Sequence, residues 1–409
     1  MSLVLCIAAA LHAPHQGDAN VPRVARDTVR APVTVTDTTW YITNRARVAG
    51  KLVGARTDTL EYGYVVVRYR ERADRVSLNP WVEGFSRTTA EPVRLSRDAF
   101  LARVGAASTR GTELSAGLVL YTHGFATSFS RAIAQGSDIA HRGRQSGPFV
   151  VFAWPAHISF ASFPRPSALI SKAYRDDSVS AAESAGAFRG ALADLLSIVP
   201  AKRLAVVGHS LGAQLASEAL TTPSQLRDSL VVAPLHALVL FAPDISAPRF
   251  RDVLGPALVP VANRRVIYAS EADRLLTVSR LINHSPRVGQ GRGEKMLTES
   301  EVEIVDVTEG RRAAGAIRNL FEPHHAMRYA SSALRDFFGV VRGTPSDCRA
   351  SDGLAERKTD RSWRLTAKAP PAADVACAAG VSTVTSTVPA RGDSAATAAA
   401  TSAKAHRAP

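Results

Sequence analysis

The pentapeptide Gly208-His209-Ser210-Leu211-Gly212 carries the most chemical information in this 409-residue chain. It stands between the apolar run Leu204-Ala205-Val206-Val207 and a helix-forming run over 213–220. A serine on a sharp strand-to-helix turn projects its Oγ above the sheet edge, while flanking glycines let strand and helix approach closely. The pattern alone arises by chance in about one chain in ten of this length, so its setting carries the argument. A serine hydroxyl is a weak nucleophile until a histidine takes its proton. That histidine in turn needs a carboxylate to hold its tautomer and stabilise the imidazolium.

Two acids downstream follow apolar runs: Asp244 in Phe241-Ala242-Pro243-Asp244, and Asp273 in Ser270-Glu271-Ala272-Asp273. The histidines beyond both are His284, His324 and His325. His284 belongs to a helix–loop segment and is expected at the surface. The pair His324-His325 precedes the last helical pattern, which suits a loop-borne base. The residues alone leave open which acid and which histidine act. His209 is expected to point away from Ser210 Oγ and to shape the pocket. A developing oxyanion needs two fixed backbone N–H donors. Leu211, after the serine, offers one; Phe125 in His123-Gly124-Phe125-Ala126 is the candidate for the other, and His123 is expected to order that loop. Trp154 either walls a pocket or packs in the core.

These residues need a scaffold that collects strand ends. From Gly117 the chain alternates apolar strands (118–122, 149–154, 204–207, 237–241, 266–269, 303–306) with helical patterns (130–142, 179–198, 211–220, 248–258, 274–282, 326–338). This alternation predicts an α/β fold, a mostly parallel doubly wound sheet with helices on both faces. Ligand sites in such sheets lie at the carboxyl ends of the strands, where every candidate above falls. The apolar stretch 154–179, with Phe160, Phe163, Leu169, Ile170 and Tyr174, reads as a long loop that lines an acyl pocket.

The charge balance is 50 basic against 36 acidic side chains, a net +14. The basic residues are scattered with no aromatic-interleaved stripe, so nucleic acid is not an expected partner. The apolar run 3–11 is too short to span a bilayer but suits the core of a signal peptide, although no basic residue precedes Arg23. Export to the periplasm or medium is therefore expected, and no other stretch suits a transmembrane helix. Of the three cysteines, Cys348 and Cys377 lie in the tail. They can pair in an oxidising compartment or stay as free thiols. No Cys/His spacing holds a metal, and no cofactor is implied. Beyond residue 342 the chain turns rich in Ala, Ser, Thr and Pro and reads as disordered. The expected organisation is a signal peptide over 1–20, a linker and N-terminal β-rich extension over 21–110, a catalytic domain over 111–341 and a tail over 342–409.

Taken together, Tyr121-Thr122-His123-Gly124-Phe125, Phe152-Ala153-Trp154-Pro155, the serine pentapeptide, Leu240-Phe241-Ala242-Pro243-Asp244 and Ser270-Glu271-Ala272-Asp273-Arg274 resemble a bacterial α/β-hydrolase family catalogued as domain of unknown function 900. Upstream, Tyr41-Ile42-Thr43-Asn44-Arg45 and Leu60-Glu61-Tyr62-Gly63 resemble that family's N-terminal β-segment. The resemblance spans roughly residues 40–340 and implies the α/β-hydrolase fold. It places Ser210, Asp273 and a late histidine in the triad positions, and counting back from Leu334-Arg335-Asp336 puts the histidine at His324. The family usually follows this histidine with Ser-Tyr, whereas this chain reads His324-His325-Ala326-Met327. The implied activity is serine hydrolysis of an ester, thioester or related acyl bond in a small-molecule or lipid-like substrate. Acyl transfer by the same triad, or an inactive binding protein on this fold, are the alternatives. Export predicts a mature chain lacking roughly the first 13 to 20 residues. Mass spectrometry of protein from its native host is expected to find a new N-terminus near Ala13, and an intact Met1 in the cytoplasm would refute export.

Overall fold

The computed structural model describes residues 33–71, 85–109, 116–156, 167–291, 301–309, 324–329, 331–366 and 377. The leader expected over 1–20, Phe160, Phe163 and nearly all of the chain beyond 366 lie outside the described residues. Among the described residues twelve strands form one sheet: β1 (Val33–Val48), β2 (Lys51–Glu71), β3 (Phe85–Thr89), β4 (Val93–Leu95), β5 (Leu118–Thr122), β6 (Phe149–Phe152), β7 (Leu204–His209), β8 (Leu235–Phe241), β9 (Ala262–Ala269), β10 (Glu303–Asp306), β11 (Ala355–Thr359) and β12 (Ser362–Leu365). The spatial order is β11-β12-β10-β9-β8-β7-β5-β6-β1-β2-β3, with β4 paired to β2. From β12 to β1 every neighbouring pair is parallel. The chain order reverses at β5, which lies between β6 and β7, and a crevice opens at such a switch point.

Alternate residues of each central strand enter different cores. Leu118, Leu120, Val150, Phe152, Val206 and Leu240 face one, while Val119, Tyr121, Val151, Val207 and Val239 face the other. Burial on both faces is why these strands read as unbroken apolar runs rather than alternating ones. The first core is covered by α1 (Arg97–Ser108), α3 (Ser167–Glu183), α4 (Ala185–Leu196) and α5 (Leu211–Thr221), and the second by α2 (Phe129–Gly143) and α9 (Ser331–Val341). Between them lie α6 (Gln225–Val232), a broken helical stretch from Ala247 to Leu258, α7 (Arg274–Asn283), the short α8 (Ala326–Tyr329) and, after α9, α10 (Cys348–Ser351).

Three sequence expectations change. The 154–179 segment is not one long loop, because α3 begins at Ser167. Its buried face carries Ala173, Tyr174, Asp177, Ser180 and Ala181, and the helical pattern expected from 179 covers only its last turn before running on into α4. The N-terminal β-rich extension shares the main sheet: β1 pairs with β6 through Trp40–Ile42 and adds a parallel strand that the alternation from Gly117 did not include. The tail does not begin at 342. Arg342 to Thr366 form α10 and the β11–β12 hairpin, which joins β10 and buries Trp363 and Leu365. Averaging composition over a long Ala/Ser/Thr-rich stretch concealed this short apolar alternation. Cys348 and Cys377 form a disulfide.

Buried charge anchors the hairpin. Arg349, 3% exposed, bonds Asp336 Oδ1 through Nε at 2.6 Å and Glu303 Oε2 through Nη1 at 2.6 Å. Arg264 grips the same Glu303, and Tyr268 donates to Asp336 at 2.5 Å. Burial alone would raise the Glu303 pKa, but Arg264 and Arg349 outweigh it and hold it down to about 2. A depressed carboxylate stabilises the fold above its unfolded pKa, near 4.5, and that contribution fades as pH falls toward 2. Arg349→Met leaves Asp336 buried with its charge uncompensated, so urea denaturation at neutral pH should show a loss of about 3–5 kcal/mol. The deficit should shrink in acid; a deficit independent of pH would contradict this reading of the cluster.

Candidate active site

Ser210 is the single residue between β7 and α5, with φ 55° and ψ −121°. A side chain with a Cβ adopts such a backbone at a cost of order 1–3 kcal/mol, and only when its surroundings enforce it. Here the Ser210 N–H donates to Phe241 O at 2.9 Å, and its carbonyl accepts from Ala213 N at 3.0 Å and Asp244 N at 3.3 Å. The two motif glycines are required by close approach. A Cβ on Gly208 would lie 2.5 Å from Ala213 Cα, and one on Gly212 would lie 2.4 Å from His123 O.

Asp273 follows β9 and caps α7. Its Oδ1 accepts from Leu276 N at 2.9 Å, while Oδ2 lies 2.8 Å from His324 Nδ1. Asp273 is fully buried and His324 nearly so. Burial by itself would depress the imidazole pKa. The charge and hydrogen bond of Asp273, with a smaller contribution from Asp244, outweigh this and raise it above the usual value. With Nδ1 committed to the carboxylate, Nε2 is the nitrogen left to exchange a proton. No hydrogen bond joins Ser210 Oγ to His324 among the described residues; such contacts commonly tighten only with substrate bound. The two residues are linked through His209, whose Nε2 donates to the His324 carbonyl at 2.8 Å. The His209 ring lies 5.0 Å from those of both His324 and His325. His209 thus holds the histidine loop beside the serine, a specific role that its position next to Ser210 in the motif did not reveal.

Asp244 belongs to a separate network. It accepts from Tyr174 OH at 2.8 Å and Ser279 Oγ at 2.6 Å, and pairs with Arg287 Nε at 3.1 Å. It ties α3 to α7. His284 is exposed at the end of α7. Trp154 is fully buried and donates to His123 O at 2.8 Å, with the two rings stacked. It therefore packs in the core instead of walling a pocket.

The loop carrying Phe125 leaves β5 directly opposite the serine turn. Both His123 nitrogens face carbonyls, Gly124 O at 2.9 Å and Trp154 O at 3.1 Å. Burial, reinforced by the Arg45 charge, drives the His123 pKa down to about 3, so the ring is neutral and donates to one of the two. It orders the loop and takes up no second proton in the neutral range. Two residues given no role by the sequence reach this loop: Asp177 Oδ2 accepts from Ala126 N at 2.9 Å, and Arg45 Nη2 donates to Thr127 O at 2.7 Å. For Asp177, an acid among buried positions of one helix was the available signal. Leu211 opens α5, where helix N–H groups lack intrahelical partners. Among the described residues no group of three or more His, Cys, Asp or Glu side chains forms a metal site, and no helix is long and apolar enough to cross a membrane.

The model of a family described as alpha/beta hydrolase of unknown function (DUF900) matches residues 109–319, just over half of the chain. Among solved structures, the chain is similar to an arylesterase at 13% identity, with 77% of this chain and 88% of that one covered and a TM-score of 0.26. It is similar to a hyperthermophilic esterase from the archaeon Pyrobaculum calidifontis at 15% identity, with 76% and 87% covered and a TM-score of 0.28. A lipase/esterase from Lactobacillus plantarum matches at 9% identity, with 75% and 99% covered and a TM-score of 0.31. No curated protein matches.

The elevated His324 pKa sets the pH dependence. A histidine whose folded pKa is raised stabilises the fold below its unfolded value, near 6.5, and loses that contribution as pH rises through the folded pKa. Reactions that need the neutral ring should therefore gain rate with pH along a limb centred above 6.5. Asp273→Asn keeps an N-cap acceptor but not the charge. It should lower kcat for an activated ester by about 10³–10⁴ and move the limb below that of the wild type. Asp244→Asn should cost less than about tenfold in kcat, its main effect being on stability. The reverse ranking would move the acid to Asp244.

Proposed function

Because the chain belongs to the DUF900 family of α/β hydrolases, we propose that it is a serine hydrolase acting on an ester, thioester or related acyl bond through an acyl-enzyme. The observation that carries this reading is the buried Asp273–His324 hydrogen bond at 2.8 Å, set beside a serine in a strained strand-to-helix turn. In the first half-reaction Ser210 Oγ attacks the acyl carbon as His324 Nε2 takes its proton. The carbonyl oxygen becomes an oxyanion, facing the N–H groups of Leu211 and Phe125. The tetrahedral adduct collapses, His324 returns the proton to the leaving alcohol or thiol, and the acyl group stays on Ser210. Water then repeats the sequence, giving the free acid and regenerating the serine. Asp273 stabilises the imidazolium in both halves without itself taking the proton.

No metal or organic cofactor enters this scheme. A small-molecule or lipid-like acyl compound is the substrate class. Acyl transfer differs only in the acceptor that replaces water. An inactive binding protein would have no need of a strained serine and a charge-paired histidine together. The Cys348–Cys377 disulfide supports residence in an oxidising compartment, in keeping with export.

Ser210→Ala retains the Cβ and should leave the fold intact. It is expected to lower hydrolysis of an activated ester by about 10⁴–10⁶ and to abolish labelling by a fluorophosphonate probe. Wild-type turnover in the alanine variant would refute the assignment. In the same assay His324→Ala should be inactive and His325→Ala active.

A further inference from the structure

The tripeptide Thr43-Asn44-Arg45 at the end of the parallel part of β1 touches three elements around the site. Thr43 Oγ1 donates to Ala153 O after β6 at 2.5 Å, and Asn44 Nδ2 donates to Ser184 Oγ at the α3–α4 junction at 3.0 Å. Arg45, only 2% exposed, donates through Nη2 to Thr127 O at 2.7 Å and through Nη1 to Ala156 O at 3.4 Å. Burial pulls its pKa down to about 10, with the Asp177 charge opposing the fall, so it remains a cation at neutral pH. Asp177, fully buried on α3, accepts the Ala126 N–H. An arginine and a carboxylate in this position are costly to bury, and no step of the proton relay uses either.

What they hold is the loop after β5. In a trans peptide the C=O and N–H point in opposite directions, so anchoring one end of a peptide plane aims the other. Gly124 O, in the plane that carries the Phe125 N–H, lies 2.9 Å from His123 Nδ1. The next plane is held at both ends: Phe125 O accepts from Thr127 Oγ1 at 3.1 Å and Ala126 N–H donates to Asp177. Ala126 itself has φ 52°, a backbone that an alanine keeps only under external constraint. Arg45 then fixes Thr127 O beyond it. The Phe125 N–H therefore sits in a run of planes held upstream by neutral His123 and downstream by two charged anchors, Asp177 from α3 and Arg45 from β1.

We propose that Arg45 and Asp177 are positioning residues that brace the 123–127 loop, keeping the Phe125 N–H aimed at the oxyanion formed at Ser210. The inference rests on the serine-hydrolase reading above. It gives the N-terminal hairpin a part in catalysis, since β1 delivers the arginine. Neither residue touches the substrate; both act through the loop.

The test uses the full chain, with p-nitrophenyl acetate as substrate and a phenylboronic acid as the probe that forms a tetrahedral anionic adduct. Asp177→Ala removes both the acceptor and the charge, whereas Asp177→Asn keeps an oxygen for the Ala126 N–H. Arg45→Lys keeps the charge, but one ammonium cannot reproduce the guanidinium's two directed bonds. Asp177→Ala and Arg45→Lys should each lower kcat about 10²-fold with KM changed less than about threefold, the scale expected for an aimed donor displaced by about 1 Å. Boronate affinity should fall in proportion to kcat, and Asp177→Asn should recover most of both. Soluble Asp177→Ala or Arg45→Lys with cooperative unfolding whose kcat and boronate affinity stay within threefold of wild type would overturn the proposal, as would a rise in KM equal to the loss in kcat. If Asp177→Ala does not fold, Arg45→Lys decides on the same criteria. Failure of the serine-hydrolase reading would show in the wild type itself, as no turnover and no fluorophosphonate label on Ser210. Failure of the brace would show only in variants of an active enzyme.

Discussion

The close approach of three backbones at one point of the sheet governs this molecule. At the carboxyl ends of β5 and β7 a Cβ on Gly124 would lie 2.8 Å from Ser210 Cβ, and the start of α5 presses against the carbonyls of Thr122 and His123. This crowding forces Ser210 into its positive-φ turn and keeps it there. It also places the Leu211 N–H and the loop after β5 on either side of the serine, so the strain and the candidate oxyanion site have one origin. The strand order reverses at β5, the kind of switch point at which doubly wound sheets form ligand sites.

Around that point, buried charges compete between desolvation and pairing, and each pair ties together segments distant in sequence. Asp273 caps its own helix and holds His324; Asp244 holds Arg287, Tyr174 and Ser279. Asp336 and Glu303 perform the same service for Arg349 and the C-terminal hairpin. Removing one partner from such a pair strands the other in a medium that cannot solvate it, which costs more than the pair contributes over an apolar substitute. These contacts therefore specify geometry more than they add stability. They sit where elements converge, while the apolar alternation of the strands accounts for the layers themselves.

The central strands were legible because burial on both faces leaves runs such as Leu118–Thr122 uninterrupted by polar residues, and the serine pentapeptide marked the turn between strand and helix. What escaped was polar and buried. Asp177 sits on the inner face of α3, in the turns before residue 179 that the expected helical pattern left out. Trp363 and Leu365 were lost in the composition of the segment around them, although their alternation belongs to a strand. Arg45 could not be recognised at all from local pattern, because its partner Thr127 lies 82 residues away. Likewise the His324–Asp273 contact joins residues 51 apart, and the sequence offered only their order.

The separation of His209 from the histidine loop has a temporal consequence. That contact spans 115 residues, so the serine turn and its flanking strands leave the ribosome well before the segment bearing His324. At typical elongation rates of about 5–20 residues per second, the delay is roughly 6–23 seconds. On the proposed serine-hydrolase reading, the nascent chain holds the nucleophile through that interval without its base, so competence would arrive late in synthesis.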